Sequence, residues 1–416
     1  MADDPYHNRF IPFRKADIVA MCCNDPRMQT GDAEEFREFC QILEALFHFE
    51  FHQHLETLKN CYAPFNPDAD TRRLTEYSPE EKQRLQKELV AQMTAVLNSA
   101  NFEQITAEDL EQALAEESLF KIRLEVDFDD FDDVIFFRRG KSVKQETLVS
   151  FFGLRKKRFN FTNYDRVAVY IKFKEKQYFA DRDPKKLNFV PGSTIIKLFH
   201  NVPKADLEML FPNSNVRMKT IDKLIIGVPA AVSGIIVIVT KLGATLILLG
   251  SVIAFWLGLS NQETQLNQKH LIALGAGLAT LGGFLFRQIN KFKNRKIKFM
   301  KALSENLYFK NLDNNTGVFY NLIDAAEEEE VKEAVLAYFF LLTAKRPVPK
   351  AQLDDLIEQW LEAGWNCQIN FEIEDAVKKL ERLELVTRQG DNLQCLPLAE
   401  AKRRLDHIWD NYFTFN

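Results

Sequence analysis

The chain has no cysteine pair spaced CxxC. Its six cysteines, Cys22, Cys23, Cys40, Cys61, Cys367 and Cys395, are scattered and suggest no disulfide framework, so a reducing compartment is the simplest reading. No P-loop, GxGxxG or GxSxG stands at a strand–helix junction, which removes the usual sequence support for nucleotide-binding and α/β-hydrolase chemistry. The first residues, MADDPYHNRFIPFRKAD, hold no apolar stretch. A cleavable secretory signal is therefore not expected, nor is the Arg-rich, acid-poor leader of an organelle import sequence. A surplus of positive charge is also missing: 54 Lys and Arg stand against 59 Asp and Glu, for a net charge of −5. The whole chain exerts no electrostatic pull toward nucleic acid.

What is abundant is phenylalanine, at 35 residues, which predicts aromatic-rich cores. Uninterrupted apolar sequence is concentrated in three blocks, Leu224–Thr240, Leu242–Leu259 and Leu271–Phe286. A membrane-crossing helix needs about 20 apolar residues, with a lower limit near 17, and a buried helix in water rarely lacks a polar stripe for so long. The blocks therefore predict a membrane anchor between two water-facing regions. Basic residues flank them: Arg217, Lys219 and Lys223 before, Arg287, Lys291, Lys293, Arg295, Lys296 and Lys298 after. Positive flanks stay cytoplasmic, which requires an even number of crossings. Residues 242–259 and 271–286 are the expected full spans. Residues 224–240, weakened by Pro229 and Gly234, are then interfacial or partly inserted. The alternative is three crossings. Each expected span carries small residues four apart, Gly250, Ala254 and Gly258 in one and Gly275, Ala279 and Gly283 in the other. Such stripes allow helices to pack closely, within one chain or between copies as a homo-oligomer. Neither span contains an ionisable residue, which argues against a transporter.

The flanking sequence divides by periodicity. Residues 1–117 read as helical. Phe36, Phe39, Leu43, Leu46, Phe47 and Phe51 recur at three- and four-residue spacing behind Asp32, and Ser78-Pro79-Glu80-Glu81 opens a second helix. Within 118–212 the alternation of Phe120, Ile122, Leu124, Val126 and Phe128 with charged residues marks a strand. Val134–Phe137, Leu148–Phe152, Val167–Phe173, Tyr178–Phe179 and Thr194–Phe199 follow as further strands of a small antiparallel unit. Pro203–Phe211 reads as a short amphipathic helix. After the membrane region, 213–300, comes a connector, 301–326, containing the polar turn Asn311–Gly317. Residues 327–416 then show three helices, a β-hairpin and a last helix, the order of a winged-helix domain. The expected fold class is an α+β membrane protein: helical N-terminal region, small antiparallel β unit, transmembrane helical hairpin and winged-helix-like C-terminal domain.

Four clusters are candidates for chemistry. His48 and His52 share a helix face one turn apart, a two-histidine metal spacing, against the plainer reading of a histidine pair on an aromatic-rich helix. Asp127, Asp129, Asp130, Asp132 and Asp133 lack the Gly and Glu of a calcium loop and read as a solvated turn or sheet edge. Arg138, Arg139, Lys141, Lys144, Arg155, Lys156, Lys157 and Arg158 would meet anionic lipid headgroups if they formed one face of adjacent strands. Glu327–Glu330, the only homopolymeric run, reads as a solvated helix start. The helix 372–384, placed where a recognition helix would stand, holds five acids and three bases. A groove-reading helix should be basic, so protein contact is expected there and nucleic acid is not.

Five segments in order carry a resemblance: RFIPFR at Arg9–Arg14, HFEFHQHLETLKNCY at His48–Tyr62 with PFNPD at Pro64–Asp68, VDFDDFDDVIFFRR at Val126–Arg139, FFGLRKKR at Phe151–Arg158, and YFKNLDNNTGVFYNLID at Tyr308–Asp324. The chain resembles the transmembrane-protein-143-like family, an uncharacterised group of bacteria and eukaryotic organelles. The resemblance implies membrane residence and supplies neither activity nor catalytic residues. The expectation is a non-enzymatic membrane-anchored adaptor or regulatory protein in a bacterial plasma or internal membrane. Both soluble regions would face the cytoplasm, with lipid and unidentified proteins as partners and no cofactor. The alternative is a metal-dependent, membrane-associated enzyme using His48 and His52.

Overall fold

A computed structural model of the chain describes residues 8–29, 31–72, 74, 76–115, 123–150, 155–183, 187–213, 215–217, 243–259 and 268–413. They fall into two compact units. The first comprises Met1–Glu116, Asp127–Asn213 and Lys310–Asn416; the second, Glu117–Val126 and Ser214–Phe309.

In the first unit, helix α1 (Lys15–Cys23) precedes α2 (Asp32–Tyr62), whose buried face is Phe36, Phe39, Leu43, Leu46, Phe47 and Phe51. Helix α3 (Pro79–Ser99) begins where the sequence signals it. The Ser78 hydroxyl accepts from the Glu81 N–H, and the Glu81 carboxylate accepts from the Ser78 N–H, a reciprocal cap that satisfies two otherwise orphaned donors. A five-stranded antiparallel sheet follows in the order β1 (Glu103–Ile105), β3 (Phe131–Ser150), β4 (Arg155–Phe173), β5 (Thr194–Pro203), β7 (Asn311–Asn314). Helix α4 (Ala107–Ala115) follows β1.

Four local expectations change here. Val134–Phe137 and Leu148–Ser150 are not separate strands, because β3 runs unbroken through Gly140 to Ser150; Phe151 and Phe152, the end of the second expected strand, lie outside the described residues. Gly140 has φ +70°, and a Cβ there would meet the Asp165 side chain at under 3.0 Å. The glycine serves close approach rather than a turn. Tyr178–Phe179 lie in a turn, and Lys204–Leu210 form a 3₁₀ helix. The polar segment 311–317 supplies the edge strand β7 and then Asn315, whose buried side chain accepts from the Ile196 N–H at 3.1 Å. A polar strand is stable there because its backbone pairs with β5.

The centre of the unit is α7 (Thr316–Ala344), which packs against α1, α2, α3, β5, β7 and a strand β10 at Asn392–Cys395. It also packs against α8 (Lys350–Trp365) and α9 (Ile373–Arg382). Strands β8 (Val348–Pro349), β9 (Val386–Gln389) and β10 (Asn392–Cys395) form a small sheet in the order β8-β10-β9. Helix α10 (Leu398–Asp410) returns against α2.

The second unit contains the antiparallel pair β2 (Arg123–Glu125) and β6 (Asn215–Arg217), with helices α5 (Gly243–Trp256) and α6 (Gln268–Lys310). The expected transmembrane hairpin is corrected here. The described residues form an α+β structure on an antiparallel sheet, and among them no helix is long and apolar enough to cross a membrane. Within the described residues helix α5 runs for 14 residues, about 21 Å at 1.5 Å per residue, against a hydrocarbon core of about 30 Å. At its C-terminal end Gly258, at φ +72°, caps it. The Gly258 N–H donates to Phe255 O at 3.0 Å and the Leu259 N–H to Ala254 O at 2.8 Å, the paired bonds of a left-handed helix stop. In α6 the apolar stretch ends after Phe286, short of the lower limit of about 17 residues, and the same helix continues through Arg287, Lys291 and Lys293. The expected localisation, multi-pass in a bacterial plasma or internal membrane with cytoplasmic soluble domains, is overturned by the same finding. Residues 224–240 lie outside the described residues.

Candidate functional site

Glu327–Glu330 do not begin a helix. They lie in the middle of α7, and Glu327, Glu329, Glu330, Lys332 and Glu333 are all buried. The expectation of a solvated helix start fails because α7 is covered on several sides, which buries Glu327, Glu329 and Glu330 and leaves Glu328 half-buried. Buried charge persists only when paired and hydrogen-bonded, and here different elements supply the partners. Glu327 accepts from Lys15 Nζ at 2.8 Å and lies 2.8 Å from His48 Nδ1. Glu328 accepts from the Lys15 N–H. Glu329 accepts from the Ile11 N–H at 3.0 Å and from Lys332 Nζ at 2.8 Å. Lys379 of α9 donates to Glu330 at 2.8 Å and Glu333 at 2.6 Å, and Asn101 donates to Glu333 at 2.8 Å. Burial raises the Glu333 carboxyl, Lys379 draws it back, and it settles at about 7. For Lys379, burial alone would lower the pKa, but Glu333 and Glu330 hold it above the ordinary value.

This stripe borders a cavity of about 690 Å³. Asp324, Glu328 and Glu329 line one side, with Arg139 of β3 and Arg166 of β4 also in the wall and Phe10 and Phe102 beside them. A second, more open cavity of about 630 Å³ lies among residues of α1, the loop after it and α8, walled by Phe13, Met21, Pro26, Trp360 and Trp365. Trp365 is 41% exposed, and its ring sits edge-on to Phe13 at 6.2 Å and to Trp360 at 4.8 Å. Asp25 accepts from the Trp360 Nε1–H at 2.9 Å and holds Arg27.

The candidates from sequence are placed as follows. His48 and His52 lie on the exposed face of α2, and His48 faces Glu327. Among the described residues no group of three His, Cys, Asp or Glu side chains is placed to hold a metal. Of the acidic turn, Asp130 is buried and accepts from Arg182 at 2.7 Å and Asn213 at 3.1 Å; Asp127, Asp129 and Asp132 are exposed. The basic residues do not share one face, because Arg138 and Arg139 are consecutive in a strand and point to opposite sides. Arg138 pairs with Glu103 at 2.8 Å, Lys144 bonds Asn201, and the Lys141 N–H donates to Asn8. Arg155, Lys156, Lys157 and Arg158 lie in β4 opposite Ser150–Thr147, and their side chains lie outside the described residues. Gly250 and Ala254 fall in α5, and Gly275, Ala279 and Gly283 in α6, while Gly258 is the helix stop. A Cβ at Gly250, Gly275 or Gly283 would meet nothing within 4 Å.

The buried α7 network escaped sequence reading because acids at successive positions look alike whether solvated or enclosed. The one available signal was the apolar run Ala334–Leu342, separated from Glu327–Glu330 by three residues.

A family model described as a protein of unknown function, DUF3754, matches residues 164–317, from within β4 to the first turn of α7. The match carries no link to the transmembrane-protein-143-like family. No solved structure matches the chain.

Proposed function

We propose that the chain is a non-enzymatic adaptor or regulatory protein that binds another protein through the aromatic groove of Phe13, Trp360 and Trp365. The likeness to the transmembrane-protein-143-like family, itself without an assigned activity, is compatible with this reading. The observation that carries it is Trp365, a large ring left substantially exposed beside two further rings. Tryptophan in such a pocket is the residue type that most often dominates binding between proteins. The groove also has an exposed acid, Asp17, at its edge, which fits a partner segment with an apolar anchor and a basic neighbour. The charged side chains of α7, the other concentration of chemistry in this unit, are engaged in holding residues 11–15 and α9.

The test compares proteins captured by the full chain, by Trp365→Ala and by Lys378→Ala, an exposed change on α9. A discrete partner retained by the wild type and Lys378→Ala and lost with Trp365→Ala is expected. Identical capture by all three would reject the groove as the docking site.

A further inference from the structure

The sheet places two arginines in direct opposition. Arg139 of β3 pairs in register with Arg166 of β4, and Arg166 with His200 of β5. Two residues earlier along β3, the same face carries Phe137, Ala168 and Leu198, all in the buried core. The face thus changes from apolar to basic where the cavity begins. Like charges directly opposite on a sheet are destabilising, and an ion pair normally offsets them. Lys15, Lys332 and Lys379 each meet a carboxylate. Arg139 and Arg166 form no ion pair within 4 Å among the described residues. Arg139 donates once, to Ala100 O at 3.2 Å, and its guanidinium lies over the rings of Phe10 and Phe102 at 5.3 and 5.0 Å. Arg166 donates to Asp165 O at 3.3 Å. Glu329, across the cavity, has both oxygens engaged, one by Lys332 and one by the Ile11 N–H.

Two guanidinium groups in the same wall, that of Arg139 lying over the Phe10 and Phe102 rings and each bonded to a backbone carbonyl, offer the forked donors that bind carboxylate and phosphate. Burial pulls the Arg139 pKa below its ordinary value, Glu329 and Asp165 draw it back and Arg166 adds to the fall, so an approaching anion would add to a compensation that those acids leave incomplete. The cavity volume falls within the range of small-ligand pockets, and Phe10, Phe102, Leu198 and Leu322 offer apolar wall. We propose that Arg139 and Arg166 are the anchoring end of a site for a free small organic molecule carrying an oxyanion, a phosphate or a carboxylate. This site goes beyond the docking reading and does not depend on it.

The experiment uses the full chain, with inorganic phosphate and acetate as probes against chloride at equal ionic strength, read by thermal unfolding and titration calorimetry. Phosphate or acetate should raise the wild-type melting temperature. Arg166→Gln should weaken binding about tenfold or more, the loss expected for charge-assisted hydrogen bonds. Arg382→Gln, which alters an exposed pair with Glu50, and Trp365→Ala should bind as the wild type does. In chloride alone Arg166→Gln should melt at or above the wild type, because it removes a like-charge pair. A merely structural arginine would lower it. No response of the wild type to either probe, an equal response in Arg166→Gln, or a lower melting temperature of that variant in chloride would each overturn the site.

Discussion

Two acidic runs of the first unit look similar in sequence and differ in structure. Asp127–Asp133 lies at the start of β3 with most of its carboxylates exposed and one, Asp130, buried against Arg182. Glu327–Glu333 lies inside, on a helix wrapped by other elements, with a cation or N–H from outside the run for nearly every carboxylate. Charge density does not decide between these outcomes. What decides is whether the element carrying the acids runs along the surface or through the middle, and whether partners from distant sequence arrive with opposite charge.

The comparison breaks first at Lys379. Removing a single partner from a buried ion group leaves uncompensated charge, which costs about 3–5 kcal/mol. Lys379→Met should lose that much in urea unfolding, since it strands both Glu330 and Glu333. Adding Glu330→Gln and Glu333→Gln to the same chain should recover most of the loss, because the stranded charge then disappears. Failure of the triple variant to recover would mean that shape, rather than charge, makes the site.

A smaller effect follows from Glu333. Its folded pKa, about 7, stands above the ordinary 4.5. Between these values the folded state holds a proton that the unfolded state has released. The stability tied to this proton is complete below about pH 4.5 and lost as pH rises through about 7. The wild type should therefore lose stability across that window relative to Glu333→Gln, which has no such proton. Parallel pH curves for the two proteins would show that Glu333 titrates normally.

The smallest effects sharpen the surface side of the comparison. Asp130→Ala should cost about 1–3 kcal/mol by leaving Arg182 and Asn213 without their acceptor. Asp129→Ala, one residue away and exposed, should stay within about 0.5 kcal/mol. Equal losses at the two positions would mean that the run acts as a single charge cluster and not through one buried member.

Where local chemistry determines structure, the sequence was legible. The Ser78–Glu81 cap starts α3, the three- and four-residue phenylalanine spacing marks the buried face of α2, and the C-terminal helices and hairpin fall near their expected positions. The candidate site was mostly not legible. Arg139 and Arg166 are far apart in sequence, and only the β3–β4 register sets them opposite each other. Trp365 gave no sign of the groove, because Phe13 comes from the other end of the chain. The apolar blocks misled for a physical reason: hydropathy counts residues but does not see a helix that carries its apolar segment straight into a basic one.

By itself the sequence determined the local elements: caps and amphipathic faces, each fixed by interactions within a few residues. Only the tertiary structure decided the fate of the charges. Whether Glu333 is solvated or enclosed, whether Arg138 is paired and Arg139 is not, and whether a polar stretch such as Asn311–Asn314 becomes a sheet edge all depend on neighbours brought from distant sequence. The energy of a charge is set by the dielectric and the partners around it, and the chain order records neither.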